Sequence, residues 1–393
     1  MTILAAGGGS GGHVTPVLAV LKELKKHDPD LKVYFITDKA FGPQAATMMS
    51  GLPFTIHVKR IYAGKLRRYH GVSLWRHMTD VSTMLKNVRD VFLVGIGLLQ
   101  SLKIMFKVKP DVVFTKGGFV CLPVGLAARL RGIPLVIHDS DAHPGLTNKI
   151  LARDAAIIAT GAPIENYPYP TERTRYVGIP VSSAFRPLTA KEQQKCKAAL
   201  GLSDTKKPLV VVTGGGLGAR TLNHVVVSIA GGLIKQTSIL QITGKDNYQE
   251  TIEQAPEHVD YIIKPFIPEG LALAFGAADI IVTRAGATTL SEIAAMGKAT
   301  VLVPNPKLTG GHQLKNAAVY AKARAAVVLN EQKLILNPLL LKKAIETVLQ
   351  DAKKRHALAE AMHAFAKPDA AIDMAALIAH AAYKHKKSEP KSQ

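Results

Sequence analysis

Four stretches of the chain carry side chains that could do chemistry. The first is His13, placed directly after the run Gly7-Gly8-Gly9-Ser10-Gly11-Gly12. An imidazole titrates near neutral pH and can serve as a general base. A glycine loop that opens a helix aims free backbone N–H groups at one point, which suits a phosphate. The second stretch is His138-Asp139-Ser140-Asp141-Ala142-His143, with histidines and carboxylates crowded together. Its D-x-D core is also a pattern able to hold a metal-bound diphosphate. The third is 283–292, where Thr288, Thr289, Ser291 and Glu292 sit between a strand and a helix. Thr289 followed by Glu292 fits a capping box, a purely structural role. The same helix start could meet a phosphate while Glu292 accepts from sugar hydroxyls. The fourth is His312-Gln313, an imidazole and an amide able to read hydroxyl groups.

The elements that must position these residues can be read from the apolar pattern. Residues 2–6 are a short apolar run and read as a buried strand. Apolar residues return at Val17, Val20, Leu21 and Leu24 with helical spacing, and Pro16 suits a first helical turn. Further strands are expected at 33–38, 111–115 and 133–137, with a helix from Val124 to Arg131. The 138–143 cluster then lies at the carboxyl end of a strand, where open parallel sheets bind ligands. Residues 163–187 are rich in proline and polar residues, with one short strand expected at 176–178. After them the pattern restarts: a strand at 209–213, then Gly214-Gly215-Gly216-Leu217-Gly218-Ala219-Arg220 leading into a helix. Strands at 239–242, 261–263, 280–282 and 300–304 alternate with helices, and 344–367 reads as helical. The fold class is α/β, with two Rossmann-like parallel-sheet domains facing each other across a cleft. The expected division is a first domain over 1–165, a linker over 166–187 and a second domain over 188–366. A last helix, 367–383, would pack back on the first domain, and 384–393 would be a disordered basic tail.

Composition limits the function classes. The chain has 393 residues, 47% hydrophobic and 20% charged, enough for more than one core. Its cysteines, Cys121 and Cys196, lie far apart and give no disulfide or metal framework. No charged leader segment is expected, and the apolar run 91–99 is shorter than a bilayer span. The net charge of +21 implies an acidic partner such as nucleic acid, anionic lipid or a phosphorylated substrate. Neither zinc-finger spacing nor an RNA-recognition signature is visible, so nucleic acid is not expected as the partner. Between His57 and Lys109 there are eleven basic residues against Asp80 and Asp90. Leu74, Met78, Val81, Leu85, Val88, Phe92, Leu99, Leu102 and Phe106 recur there at helical spacing, a stripe expected to face the core. Trp75 and Leu74 lie among Arg67, Arg68 and Arg76, the mixture a membrane-surface contact needs.

Spacing alone keeps a second chemistry open. Gly7, Gly9 and Gly12 fit G-x-G-x-x-G, and Asp38 ends the next strand where a nicotinamide enzyme would hold a ribose hydroxyl. The motifs taken together resemble a different family. Residues 8–16 read GGSGGHVTP, Gly117-Gly118-Phe119 follows a strand, and 138–149 ends in GLTNK. With Gly214 to Arg220, Ala287 to Glu292, His312-Gln313 and Asn316-Ala317, the chain is similar to the MurG group of glycosyltransferase family 28. These are inverting transferases of GT-B fold.

The resemblance implies an N-acetylglucosaminyltransferase of peptidoglycan synthesis, peripheral at the cytoplasmic face of the membrane. It would move N-acetylglucosamine from UDP-GlcNAc to an undecaprenyl-diphosphate-linked muramyl-pentapeptide, with no cofactor and no metal. By that resemblance His13 would deprotonate the acceptor hydroxyl, with Asp139 or Asp141 as the other candidate bases. Ser10, Gly11 and Gly12 would line the reaction centre against the donor or the lipid diphosphate, and Asp141 and Ser182 would touch the donor. Gly216 would reach the UDP phosphates and Ile267 the uracil through its backbone. Ala287, Thr288, Thr289, Leu290 and Ser291 would hold the diphosphate, Glu292 the ribose, and His312 and Gln313 the sugar hydroxyls. Gly117, Gly118, Phe119 and His138 would line the acceptor side, while Arg67, Arg68, Leu74 and Trp75 would meet the membrane. The chain departs from the pattern at Asp139-Ser140-Asp141 for Glu-Gln-Asn, Phe119 for tyrosine, Gly216 for serine and Ser182 for arginine. Another lipid acceptor therefore stays open as an alternative.

Overall fold

The computed structural model describes residues 1–9, 11–65, 81–216, 218–267, 270–306 and 311–388, and the side chains of all of these except 81–83 and 388. The chain divides into two compact units, one formed by 1–182 with 367–393 and the other by 183–366. The first holds a seven-stranded sheet of β1 (Thr2–Ala6), β2 (Lys32–Asp38), β3 (Ile56–Ile61), β4 (Val112–Thr115), β5 (Leu135–Asp139), β6 (Ile157–Thr160) and β7 (Thr174–Tyr176). Its order is β3-β2-β1-β4-β5-β6-β7, and every pairing is parallel. The second holds six strands: β8 (Leu209–Thr213), β9 (Ser238–Ile242), β10 (Tyr261–Lys264), β11 (Ile280–Thr283), β12 (Ala299–Leu302) and β13 (Val327–Val328). Its order is β10-β9-β8-β11-β12-β13, again parallel throughout.

Strands buried on both faces read as continuous apolar runs, and LVVVT of β8 and VVFT of β4 are wholly buried. Alternate residues of β1 serve opposite faces. Ile3 and Ala5 pack toward the helices Gly11–His27 and Ala370–Ser388, while Leu4 and Ala6 pack toward the helix Cys121–Leu130. In both units the connections run outward in opposite directions from the first strand. This puts a topological switch point between β1 and β4, and another between β8 and β11. By the rule for open parallel sheets, the loops leaving the carboxyl ends of those strands frame the binding crevice of each unit.

Several sequence expectations change at this level. The helix after the first glycine loop begins at Gly11, so Pro16 lies in its second turn rather than its first. The proline-rich region is not a linker over most of its length. β7 joins the first sheet through Ile158–Thr174 pairing, and Tyr167 and Tyr169 are buried beside it. The strand falls at Thr174–Tyr176 rather than 176–178 because Val177 and Gly178 already turn back, both N–H groups bonding the Thr160 carbonyl. The 344–367 stretch is two helices, Leu339–Gln350 and Ala352–His363, broken at Asp351, whose carboxylate caps the second. The basic tail is helical as far as Ser388. Met374, Ala375, Ile378, Ala381 and Ala382 anchor that helix in the first core, and a packed helix extends through a polar last turn. His385, Lys386 and Lys387 complement its C-terminal dipole, and Lys386 pairs with Asp111 at 3.2 Å.

The helix Val81–Val108 turns most of its expected core stripe outward, while Leu102 of that stripe packs against the core. Leu85, Val88, Phe92, Leu99 and Phe106 face solvent, with Phe92 70% and Leu99 68% exposed. The side turned inward carries Asp90, Gly97, Ser101 and Met105. Backbone approach explains why: a Cβ on Gly97 would lie 2.1 Å from the Tyr62 carbonyl oxygen, so only a small residue fits there. The window Met84–Val108 is long and apolar enough to cross a membrane by length and composition, longer than the 91–99 run suggested. Trp75, Leu74, Arg67 and Arg68 lie outside the described residues.

Candidate active site

The first crevice is built from three loops. The glycine loop after β1 is held by Asp38, whose Oδ2 accepts from the Gly9 N–H at 2.9 Å and whose Oδ1 accepts from the Phe41 N–H at 2.9 Å. That carboxylate is buried and occupied by the protein's own backbone, which removes the sequence argument for a nicotinamide ribose at Asp38. Gly9 has φ of +78°, and a Cβ there would strike the Phe119 ring at 2.8 Å. The loop after β4 carries Lys116, then Gly117 and Gly118 with φ of +84° and +86°. The His13 ring lies against Gly118, 3.4 Å from where a Cβ would stand. The loop after β5 carries Ser140 and Asp141.

A directed chain of hydrogen bonds joins the last two loops. The Lys116 ammonium donates to Ser140 Oγ. His138 Nε2–H donates to the Gly178 carbonyl at 2.8 Å, so Nδ1 is the ring's acceptor and takes the Ser140 hydroxyl proton's bond at 3.1 Å. Asn148 of the GLTNK motif donates to the His138 carbonyl at 3.1 Å. Beneath them the Tyr169 hydroxyl donates to Asp139 Oδ2 at 2.8 Å, and the Tyr167 hydroxyl donates to the Asp141 carbonyl at 2.6 Å. Those tyrosine rings stack on each other.

Burial tunes nearly every ionisable group here. The His13 imidazole is lowered to about 4, first by burial and then by the Lys116 charge, with Asp141 pulling the other way. It is therefore neutral and able to accept a proton at physiological pH. Burial also lowers Lys116 to about 8, which Asp141 and Asp139 oppose, and lowers His138 to about 3. Asp139 is raised to about 7 by burial, against the Tyr169 hydrogen bond.

This geometry separates residues that the sequence alone treated alike. His138 is 0% exposed with both nitrogens engaged, so it orients the loop rather than lining the acceptor side. Asp139 is 3% exposed and bound to Tyr169, so it supports the site from below and is poorly placed as a base. Asp141 is half-buried and faces His13. Gly11, Gly12, Gly117, Gly118 and Phe119 share this crevice, and Ser182 is the last residue of the same unit; Ser10 lies outside the described residues. Among the described residues no three His, Cys, Asp or Glu gather to hold a metal, so Asp139-Ser140-Asp141 recruits no further ligand. Lys116, Tyr167 and Tyr169 were not legible as site residues. Only their nearness to glycine and proline turns hinted at them.

The second crevice is sparer. After β8, a Cβ on Gly214 would lie 2.3 Å from the Ala219 nitrogen, so the turn into the helix Arg220–Leu233 closes only around glycine. After β11 the helix Ala287–Met296 starts directly, with Gly286 as its N-cap and no side-chain cap. The expected capping box is absent because Thr289 already lies inside the first turn. Its N–H groups at Ala287, Thr288 and Thr289 lie in the helix's first turn, ahead of the first bond from Leu290 N–H back to the Gly286 carbonyl. Ser291 Oγ bonds back to the Ala287 carbonyl at 3.2 Å, and Leu290 is in the core. Glu292 is 6% exposed with no charged neighbour among the described residues, and burial alone raises it to about 8. The helix His312–Lys322 clamps this region: Gln313 Oε1 accepts from the Asn305 N–H at 2.8 Å, and Asn316 donates to the Ala285 carbonyl at 3.1 Å. Gly216 lies on the loop after β8 and buried Ile267 on the loop after β10.

Comparison with known proteins places this geometry. The glycosyltransferase family 28 N-terminal domain matches residues 3–160, and the family's C-terminal domain matches 209–374. A protein of Exiguobacterium sp. is 32% identical over 96% of this chain and 99% of its own length. One from Halalkalibacterium halodurans is 33% identical over 96% and 99%. Both carry the name UDP-N-acetylglucosamine–N-acetylmuramyl-(pentapeptide) pyrophosphoryl-undecaprenol N-acetylglucosamine transferase. The crystal structure of Acinetobacter baumannii MurG is 27% identical, with a TM-score of 0.65 over 96% of this chain and 99% of that one.

Proposed function

The chain belongs to glycosyltransferase family 28, and on that premise we propose that it transfers N-acetylglucosamine from UDP-GlcNAc to the 4-hydroxyl of an undecaprenyl-diphosphate-linked muramyl-pentapeptide. It has the family's GT-B fold, one Rossmann-like parallel sheet in each unit. The observation that carries the reading is the presence of a neutral His13 at one switch point and of a helix N-terminus with a buried Glu292 at the other.

The acceptor oxygen attacks the anomeric carbon from the face opposite the leaving diphosphate. A carbon–oxygen bond forms there as the bond to the UDP oxygen breaks, and configuration inverts. The hydroxyl proton passes to His13, which is unprotonated at working pH. Negative charge arriving on UDP meets the N–H groups and the positive dipole end at Ala287, Thr288 and Thr289, with the Ser291 hydroxyl nearby. Gly216 gives the diphosphate close approach, and the Ile267 backbone reads the base. Glu292 accepts from the ribose hydroxyls, which would offset the cost of burying its carboxyl. His312 and Gln313 read the sugar. Gly117, Gly118 and Phe119 guide the acceptor past Gly11, Gly12 and Asp141.

The exposed apolar face of the helix Val81–Val108 supports a peripheral membrane site. Leu85, Val88, Val91, Phe92 and Leu99 lie on it, with Lys86, Arg89, Lys103 and Lys107 on the same helix for anionic headgroups. Its other face is fixed to the unit by Asp90, Ser101 and Met105, so the helix lies on a bilayer rather than crossing it. The reaction is tested by proton NMR of the disaccharide product. A β-linked N-acetylglucosamine formed only with lipid-linked muramyl-pentapeptide supports the reading; an α linkage, or no product with this acceptor, overturns it.

A further inference from the structure

We propose that Lys116 is a positioning residue for the transfer: its ammonium ties the loop after β4 to the loop after β5 through Ser140, and its charge is set between the His13 imidazole and the carboxylates of Asp139 and Asp141. The proposal rests on reading His13 as the base.

At 2% exposure the side chain is too enclosed to touch a substrate. A lysine is costly to bury unless it is paired and hydrogen-bonded, and here the pairing is specific. The ammonium donates to Ser140, Ser140 donates to His138, and His138 donates to the Gly178 carbonyl. The far end of this chain is fixed as well. Gly178 has φ of +82°, and a Cβ there would lie 2.5 Å from the Lys367 side chain. Removing the ammonium would therefore loosen Asp141, which follows Ser140 directly, as well as Ser140 itself.

The second consequence is electrostatic. Among the described residues, the charged and titratable groups around His13 are Lys116 and Asp141, and those around Lys116 are Asp141, Asp139 and Cys121, with His138 reached through Ser140. Cys121 is itself pushed up to about 12 by burial and carries no charge, and the Tyr167 and Tyr169 phenols are also pushed up by burial. Of these groups only Lys116 works against a proton on His13 by charge, while Asp141 works for it. Without Lys116, the pull of Asp141 would be unopposed by charge, and the imidazole, still lowered by burial, would hold its proton to higher pH. The base would then be blocked in the mildly acidic range where the intact site still accepts a proton.

The test is a histidine-resolved NMR titration of the full-length protein, run beside pH profiles of kcat/KM. In Lys116→Met, which keeps the stem and removes the charge, the His13 midpoint should rise by about one pH unit or more. The acid limb of kcat/KM should move with it, while UDP-GlcNAc affinity stays unchanged. Ser140→Ala keeps the charge and cuts the tether: it should leave the His13 midpoint in place and lower kcat severalfold. An unmoved midpoint in folded Lys116→Met overturns the electrostatic role. Unchanged kcat in Ser140→Ala overturns the tether, and that variant decides the matter should Lys116→Met not fold. If His13→Ala retains full turnover, the reading of His13 as base has failed, whereas the NMR midpoint still reports on Lys116 separately.

Discussion

The loops after β1, β4 and β5 and the loops after β8, β11 and β12 occupy equivalent places in two sheets of the same order, yet they are furnished differently. In the first unit His13, Lys116, His138, Asp139 and Asp141 crowd together, and burial moves the protonation of His13, Lys116, His138 and Asp139. In the second, a helix start without a side-chain cap and the buried Glu292 occupy the crevice. Proton transfer needs ionisable groups whose protonation is tuned in a low-dielectric pocket. Holding a diphosphate and a ribose needs fixed dipoles and a buried hydrogen-bonding group. The same scaffold has thus been given acid–base chemistry on one side and recognition on the other.

That contrast can be broken most decisively at His13. Replacing it with alanine should lower acceptor-dependent turnover by about 10²- to 10⁴-fold. Removing Glu292 should act on the other half: Glu292→Ala should weaken UDP-GlcNAc binding by about tenfold, measured by calorimetry, as a hydrogen bond to a charged or buried acceptor is lost. The same residue gives a stability signature. Its folded value of about 8 lies above the 4.5 of an exposed glutamate, so the folded chain holds a proton that the unfolded chain releases. Stability should fall as pH rises from 4.5 to about 8, and thermal melts of Glu292→Gln should lose that slope. Tyr169→Phe should be milder. It strips the donor from buried Asp139 and should cost about 1–3 kcal/mol of stability, read by urea denaturation, with little change in donor binding. Smallest in solution is Phe92→Asp with Leu99→Asp, which should leave turnover on a short-chain soluble acceptor intact and reduce sedimentation with anionic vesicles.

Much of the fold could be read in advance because parallel strands buried on both faces leave unbroken apolar runs, as in β4 and β8. The glycine loops were legible for the same local reason, since a strand-to-helix turn this tight admits little else. What escaped was long-range. The exposed face of the helix Val81–Val108 has the same spacing as a core stripe, and only the approach of Tyr62 to Gly97 decides which side turns in. Lys116 looked like one more basic residue until β4 and β5 brought it beside Ser140 and Asp141. Tyr167 and Tyr169 sat in a proline-rich stretch that read as a linker, and their partners lie about thirty residues upstream. Conversely, Thr289 and Glu292 satisfied a local capping rule that the helix overrode by starting at Ala287.

The most direct test of the division between the halves is the UDP-GlcNAc dissociation constant of His13→Ala measured beside its acceptor-dependent UDP release. An unchanged dissociation constant with release lowered by two orders of magnitude or more is the predicted result. A dissociation constant that weakens in step with turnover would place His13 in donor recognition and contradict the account.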